Sequence, residues 1–199
     1  MKHLLLSLGL FAALSGATFS QATVTTPKAA KSDATMLKIR QIDVLIQLLP
    51  LNLKKNQIDA ILLQAEKAKE AERKIRMMED DDLEKLDPKV SEVLRAALEK
   101  GAYPPRELQL EVSKLTRAMA IRRQVALAEM VDNFYTGVKD VLEPGQKTVM
   151  AKSLDIAVLD PSIKVDSMNE EAKIKFFIRR IFLDSTAYES LKELRKTAS

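Results

Sequence analysis

From Met36 to the C-terminus the chain is built almost entirely from strong helix formers, and this limits its fold more than any other feature. Ala, Leu, Lys, Glu, Arg and Gln dominate, and of the five glycines only Gly101, Gly137 and Gly145 lie beyond residue 22. No useful length of the alternating apolar pattern of a strand is present. The apolar residues instead recur at steps of three and four. Ile58, Ile61, Ala65, Ala68 and Ile75 form one narrow seam of this kind, interrupted at Glu72 and suited to pairing with another helix along its length. The expected fold is all-α: an elongated antiparallel hairpin or bundle of about five to six helices with one long central helix.

Helix breakers and apolar spacing place the elements. A first helix is expected over Met36 to Leu49, stopped by Pro50, and a second from Lys54 to about Asp82. A short third helix from Lys89 to Lys100 lies between Pro88 and Gly101. Pro104 and Pro105 precede the fourth, Arg106 to Leu142, which reads as the longest and would span about 55 Å at ~1.5 Å per residue. Its seam of Leu108, Val112, Leu115 and Met119 breaks at Arg122, Arg123 and Gln124, then resumes at Leu127, Val131, Phe134, Val138 and Val141. A short helix from Pro144 to about Leu154 follows. One or two helices are expected over Asn169 to Lys196, with Ile174, Phe177, Ile178, Ile181 and Phe182 on one face and a break near Asp184 and Ser185. Residues Glu79 to Glu84 form an acidic run without the spacing or glycine of a calcium loop, and read as a solvated helix end.

The first residues carry a different signal. Lys2 and His3 precede an apolar run from Leu4 to Leu14, and small residues at Ser20 and Ala22 follow, so residues 1–22 are expected to be a cleavable signal peptide cut after Ala22. A run of about eleven residues is too short to span a bilayer. A flexible leader is expected over residues 23–35, rich in Thr, Ala, Lys and Ser, then a helical domain over 36–158 and a C-terminal helical extension over 159–199. The mature protein is expected outside the cytoplasm, in the periplasm of a cell with two membranes.

Composition narrows the chemistry. The chain has no cysteine and no tryptophan, and its one histidine, His3, falls in the signal peptide. Zinc and copper sites of nitrogen and sulfur ligands, disulfides and His-based nucleophilic sites therefore have no residues to build them. No Ser-x-x-Lys, Gly-x-Ser-x-Gly or glycine-rich phosphate loop follows residue 22. No catalytic residue, cofactor or metal is expected, and the reading is not an enzyme. Net charge is +4, or +3 once Lys2 is removed, and without stacking aromatics beside a basic cluster no nucleic acid partner is expected. The basic amphipathic segment after Asn169 offers two readings, contact with a membrane surface or packing on the helical body.

Two short elements carry the remaining information. Leu53-Lys54-Lys55-Asn56-Gln57 and Leu142-Glu143-Pro144-Gly145-Gln146 each place Leu four residues before Gln at a helix start, 89 positions apart. Pro144 suits the first turn of a helix, and a first-turn Gln can reach back to an unpaired backbone N–H. The elements are expected near either end of the long helix's path. Together with the signal peptide and helical composition, they resemble the paired Leu-Thr-x-x-Gln motifs of the periplasmic Spy/CpxP-type proteins, with Lys54 and Glu143 where the motif has threonine.

That resemblance covers roughly Ile42 to Leu154. It implies a curved, all-helical homodimer that acts without ATP as a holdase for unfolded or envelope proteins, or as an adaptor restraining the periplasmic domain of a sensor kinase. Leu53, Gln57, Leu142, Pro144 and Gln146 are then the motif and candidate partner-binding residues. Met119, Arg122 and Arg123 are candidate client contacts, because an adaptable side chain beside cationic neighbours can meet varied clients and keep them soluble. The alternative is a secreted helical interaction module that dimerises and docks on a single envelope partner, without chaperone activity.

Overall fold

The computed structural model describes residues 27–198, with side chains from residue 32. The signal peptide, the first residues of the leader and Ser199 lie outside them. The chain divides into residues 1–36 and 37–199. The described part of the first unit, residues 27–36, is helical. The described residues are all-α, 84 % of them helical, with no strand.

Helix α1 is Pro27–Leu48, followed by a 3₁₀ turn, Leu49–Leu51. The leader expected without regular structure is therefore helical from Pro27 onward. The reason is local: Pro27 suits a first helical position, and Ala29, Ala30 and Ala34 have the highest helix propensity. Asn52, with φ 44°, turns the chain into α2, Lys55–Lys100. Helix α3 is Arg106–Val138 and α4 is Pro144–Lys152. A single turn α5, Ile156–Leu159, precedes α6, Glu170–Phe177, which widens into a π turn over Ile178–Phe182. Helix α7 is Ser185–Thr197, its start capped by Asp184 through a 2.7 Å bond from the Thr186 N–H.

The longest helix is thus α2, at 46 residues, rather than the fourth expected element. Pro88 does not separate two helices but lies inside one. It removes a single N–H, and its position is exposed, so water can satisfy the carbonyl one turn back. On either side of it α2 is paired with α3, through Asp82 with Arg122 and Lys89 with Glu111, and Leu86 and Val93 are half-buried there. The chain reverses at Gly101, whose φ of 64° favours glycine and whose N–H bonds to Ala97 O at 3.0 Å.

Antiparallel to α2, α3 meets it in a constant register, marked by ion pairs of Lys89 with Glu111, Asp82 with Arg122 and Glu79 with Arg123. Near the base Gly137 leaves room for the Gln64 side chain, which a β-carbon there would meet at 2.3 Å. Away from the base only Ala68, Glu79, Leu108, Met119 and Val131 are buried in this arm. Two helices alone cover one face of each other and leave the rest to solvent.

The base is better filled. Leu48, Leu51, Ile58, Ile61, Phe134, Val138, Leu142, Met150, Ile174, Phe177, Ile178, Phe182, Ala187 and Leu191 form one core. Phe182 stacks on Phe134 with ring centroids 5.6 Å apart and meets Phe177 edge-on at 5.3 Å. The described part of the expected extension, residues 159–198, is therefore not separate, since α6 and α7 complete the core that α1 to α4 begin. The apolar face of Ile174, Phe177, Ile178, Ile181 and Phe182 is spent on that core and is not presented to a membrane surface. No described helix is long and apolar enough to cross a bilayer.

Candidate functional site

The two Leu-to-Gln elements come together at the base of the arm. They were expected near either end of the long helix's path, but a hairpin that folds back on itself returns the end of α3 to the start of α2. Each element first does a local job. Lys54 and Glu143 have extended backbone (ψ 158° and 153°) and stand one residue before α2 and α4. The Gln57 Oε1 accepts from the Lys54 N–H at 2.9 Å, and the Gln146 Oε1 accepts from the Glu143 N–H at 2.8 Å. Each Gln thereby satisfies a backbone donor that the helix geometry leaves open.

These bonds also fix which way each amide faces, since a flipped amide would set N–H against N–H. Both Nε2 groups consequently point across the interface. The Gln57 Nε2 donates to Gln146 Oε1 at 3.0 Å and to Val141 O at 2.8 Å. The Gln146 Nε2 donates to Gln57 Oε1 at 2.9 Å and to Leu51 O at 2.9 Å. The arrangement is close to two-fold symmetric: each amide caps its own helix, pairs with its counterpart, and holds the backbone before the other motif. Gln57 is 2 % and Gln146 7 % exposed, so the full set of donors is satisfied where water is scarce.

The residues standing in place of threonine complete the pair. Neither Lys54 nor Glu143 caps its helix through its side chain; instead Lys54 Nζ lies 2.8 Å from Glu143 Oε1 across the two helix starts. The bond to Glu143 holds the Lys54 ammonium above its ordinary pKa. Of the other motif residues, Leu142 is buried in the core and Leu53 packs half-buried against it. Pro144 is exposed at the first position of α4, where it stiffens the helix start.

The candidate client-contact residues lie midway along the arm and are engaged within the chain. Met119 is buried at 7 % exposure. Arg123 grips Glu79 with Nε at 2.8 and 2.9 Å from its two carboxylate oxygens and Nη2 at 2.6 Å from Oε2. Arg122 reaches Asp82 at 3.1 Å. Bonding to Glu79 raises the Arg123 pKa further. The acidic run is thus not a solvated helix end: Glu79 is 3 % exposed and fills a seam position of α2 opposite the arginines that interrupt the seam of α3. Both interruptions are visible in the sequence, and an antiparallel hairpin brings them into register.

No group of three or more His, Cys, Asp or Glu side chains among the described residues is placed to hold a metal ion. Compared with protein-family models, curated proteins and solved structures, the chain has no match. The fold and site define an all-helical protein in which a two-helix arm rises from a core closed by a paired-glutamine clamp.

Proposed function

We propose that the protein is exported to the periplasm and acts there as an ATP-independent holdase or stress adaptor that binds other proteins reversibly. The observation that supports this reading is the apolar surface left on the arm. Met77, Met78, Leu83, Leu94, Leu98, Ile121 and Val125 are between 44 and 79 % exposed. Charged residues separate them, among them Arg73, Arg76, Asp80, Lys85 and Arg95, all exposed. Apolar side chains interleaved with charge can hold an unfolded segment weakly while the complex stays soluble. Methionine adapts to varied shapes because it is unbranched and polarizable. In this reading Arg122 and Arg123 set the register of the arm, and neighbouring exposed side chains meet the client.

The test is suppression of light scattering from an unfolding client by several-fold molar excess of purified protein. Replacing Met77, Met78, Leu94 and Leu98 by Gln is expected to abolish suppression while the circular dichroism spectrum stays helical. Undiminished suppression by that variant, or none by the parent protein together with no binding to any envelope sensor domain, refutes the reading. Export is tested separately by the mass of the protein recovered from the periplasm, expected to lack residues 1–22.

A further inference from the structure

Beyond Met36, α1 carries apolar residues on two sides. Val44 and Leu48 are buried in the core, at 6 and 1 % exposure. Ile39, Ile42, Ile46 and Leu49, the last in the turn that follows α1, are 46, 57, 58 and 60 % exposed. Their spacing of three, four and three is that of the a and d positions of a heptad repeat, on the side of the helix facing away from Val44 and Leu48. Lys38 and Asp43 flank this seam at g and e positions. Both are exposed, and neither forms an ion pair among the described residues.

We propose that this seam pairs, parallel and in register, with the same seam on a second copy of the chain. Charge selects both the partner and the direction. In a parallel pair each g residue meets the e residue five positions on in the other helix, so Lys38 of each copy faces Asp43 of the other, twice by symmetry. An antiparallel pairing that keeps all four apolar layers sets Ile39 opposite Leu49 and Ile42 opposite Ile46. Antiparallel helices bring g beside g and e beside e, so this arrangement places Lys38 beside Asn52, which has no charge to offer, and sets the two Asp43 carboxylates near each other. The remainder of each copy lies on the outer side of its helix, where Val44 and Leu48 are held. Two heptads are too few for a free coiled coil, but here the helix is already ordered by the core beneath it. The seam is separate from the exposed surface of the arm, so this pairing does not depend on client binding.

The absence of cysteine gives the proposal a direct test, because a single introduced cysteine can form a disulfide only between copies. Ile39→Cys is expected to oxidise to a covalent dimer. Sedimentation equilibrium on the cysteine-free protein should show a monomer–dimer equilibrium, with Ile42→Lys raising the dissociation constant at least about 100-fold at unchanged helical content. Lys38→Asp and Asp43→Lys should each weaken the dimer, and their combination should restore it. A monomer at every concentration, a trimer, or a dimer indifferent to Ile42→Lys overturns the proposal. So does failure of the charge swap to restore pairing, or cross-linking only when Ile39→Cys and Leu49→Cys copies are mixed, the mark of antiparallel pairing.

Discussion

The glutamine clamp makes a quantitative claim that a double-mutant cycle can test. Gln146→Leu removes four hydrogen bonds: from the Glu143 N–H, from and to the Gln57 amide, and to Leu51 O. Gln57→Leu likewise removes four, of which the two between the amides are the same bonds. At a net ~1 kcal/mol per bond, each single variant should lose about 4 kcal/mol and the double variant about 6 kcal/mol. The singles together would then overcount the double by about 2 kcal/mol, which is the coupling the cycle reads. Urea unfolding followed by helical circular dichroism gives the three differences. For a chain of this size each single variant should melt roughly 8 to 16 °C lower. A single loss below about 1 kcal/mol would show that the buried amides contribute little to the fold. Near-zero coupling would show that the two motifs are capping devices that happen to be adjacent.

Three further outcomes follow from the same structure. Phe182→Ala, at a fully buried ring stacked on Phe134, should cost about 3–5 kcal/mol, and a chain ending at Leu159 should fail to give the cooperative unfolding transition of the full chain. Arg123→Met leaves the buried Glu79 without its partner; because the Arg123 side chain is itself 56 % exposed, the expected loss is about 1–3 kcal/mol, and Glu79→Leu in the same background should recover part of it by urea titration. The Arg195 guanidinium bonds to Asp59, between α7 and α2, and holds its carboxyl below the usual range. The stability this contributes is present above the unfolded pKa of about 4 and is lost as pH falls through the lower folded value, so Asp59→Asn should flatten that part of the stability–pH curve.

Local signals were enough to place most helix ends and to identify the class of fold. Gly101 ends α2 because its backbone must enter the left-handed region, and Asp184 starts α7 because its carboxylate can bond a free N–H; both follow from the residue and its near neighbours. Pro88 shows the limit of such reasoning. Its cost to a helix is a local quantity, whereas the pairing of α2 with α3 on either side of it, through Asp82 and Lys89, is not. The acidic run and the two arginines were each legible as interruptions of a seam, but their mutual satisfaction depended on a register that only the Gly101 reversal supplies.

The same division runs through the glutamine motifs. Sequence determined that Gln57 and Gln146 each sit in the first turn of a helix, since the spacing from Lys54 and Glu143 lets each Oε1 reach back to a backbone N–H. Tertiary structure decided that the two turns meet, that each Nε2 finds the other amide, and that Lys54 and Glu143 form an ion pair where the resembling motif has threonines. It likewise decided that α6, the π turn and α7 belong to the core, because their apolar faces join Leu48, Phe134 and Met150 from distant parts of the chain. Capping is settled within four residues, while pairing across 89 of them requires the whole hairpin to have closed.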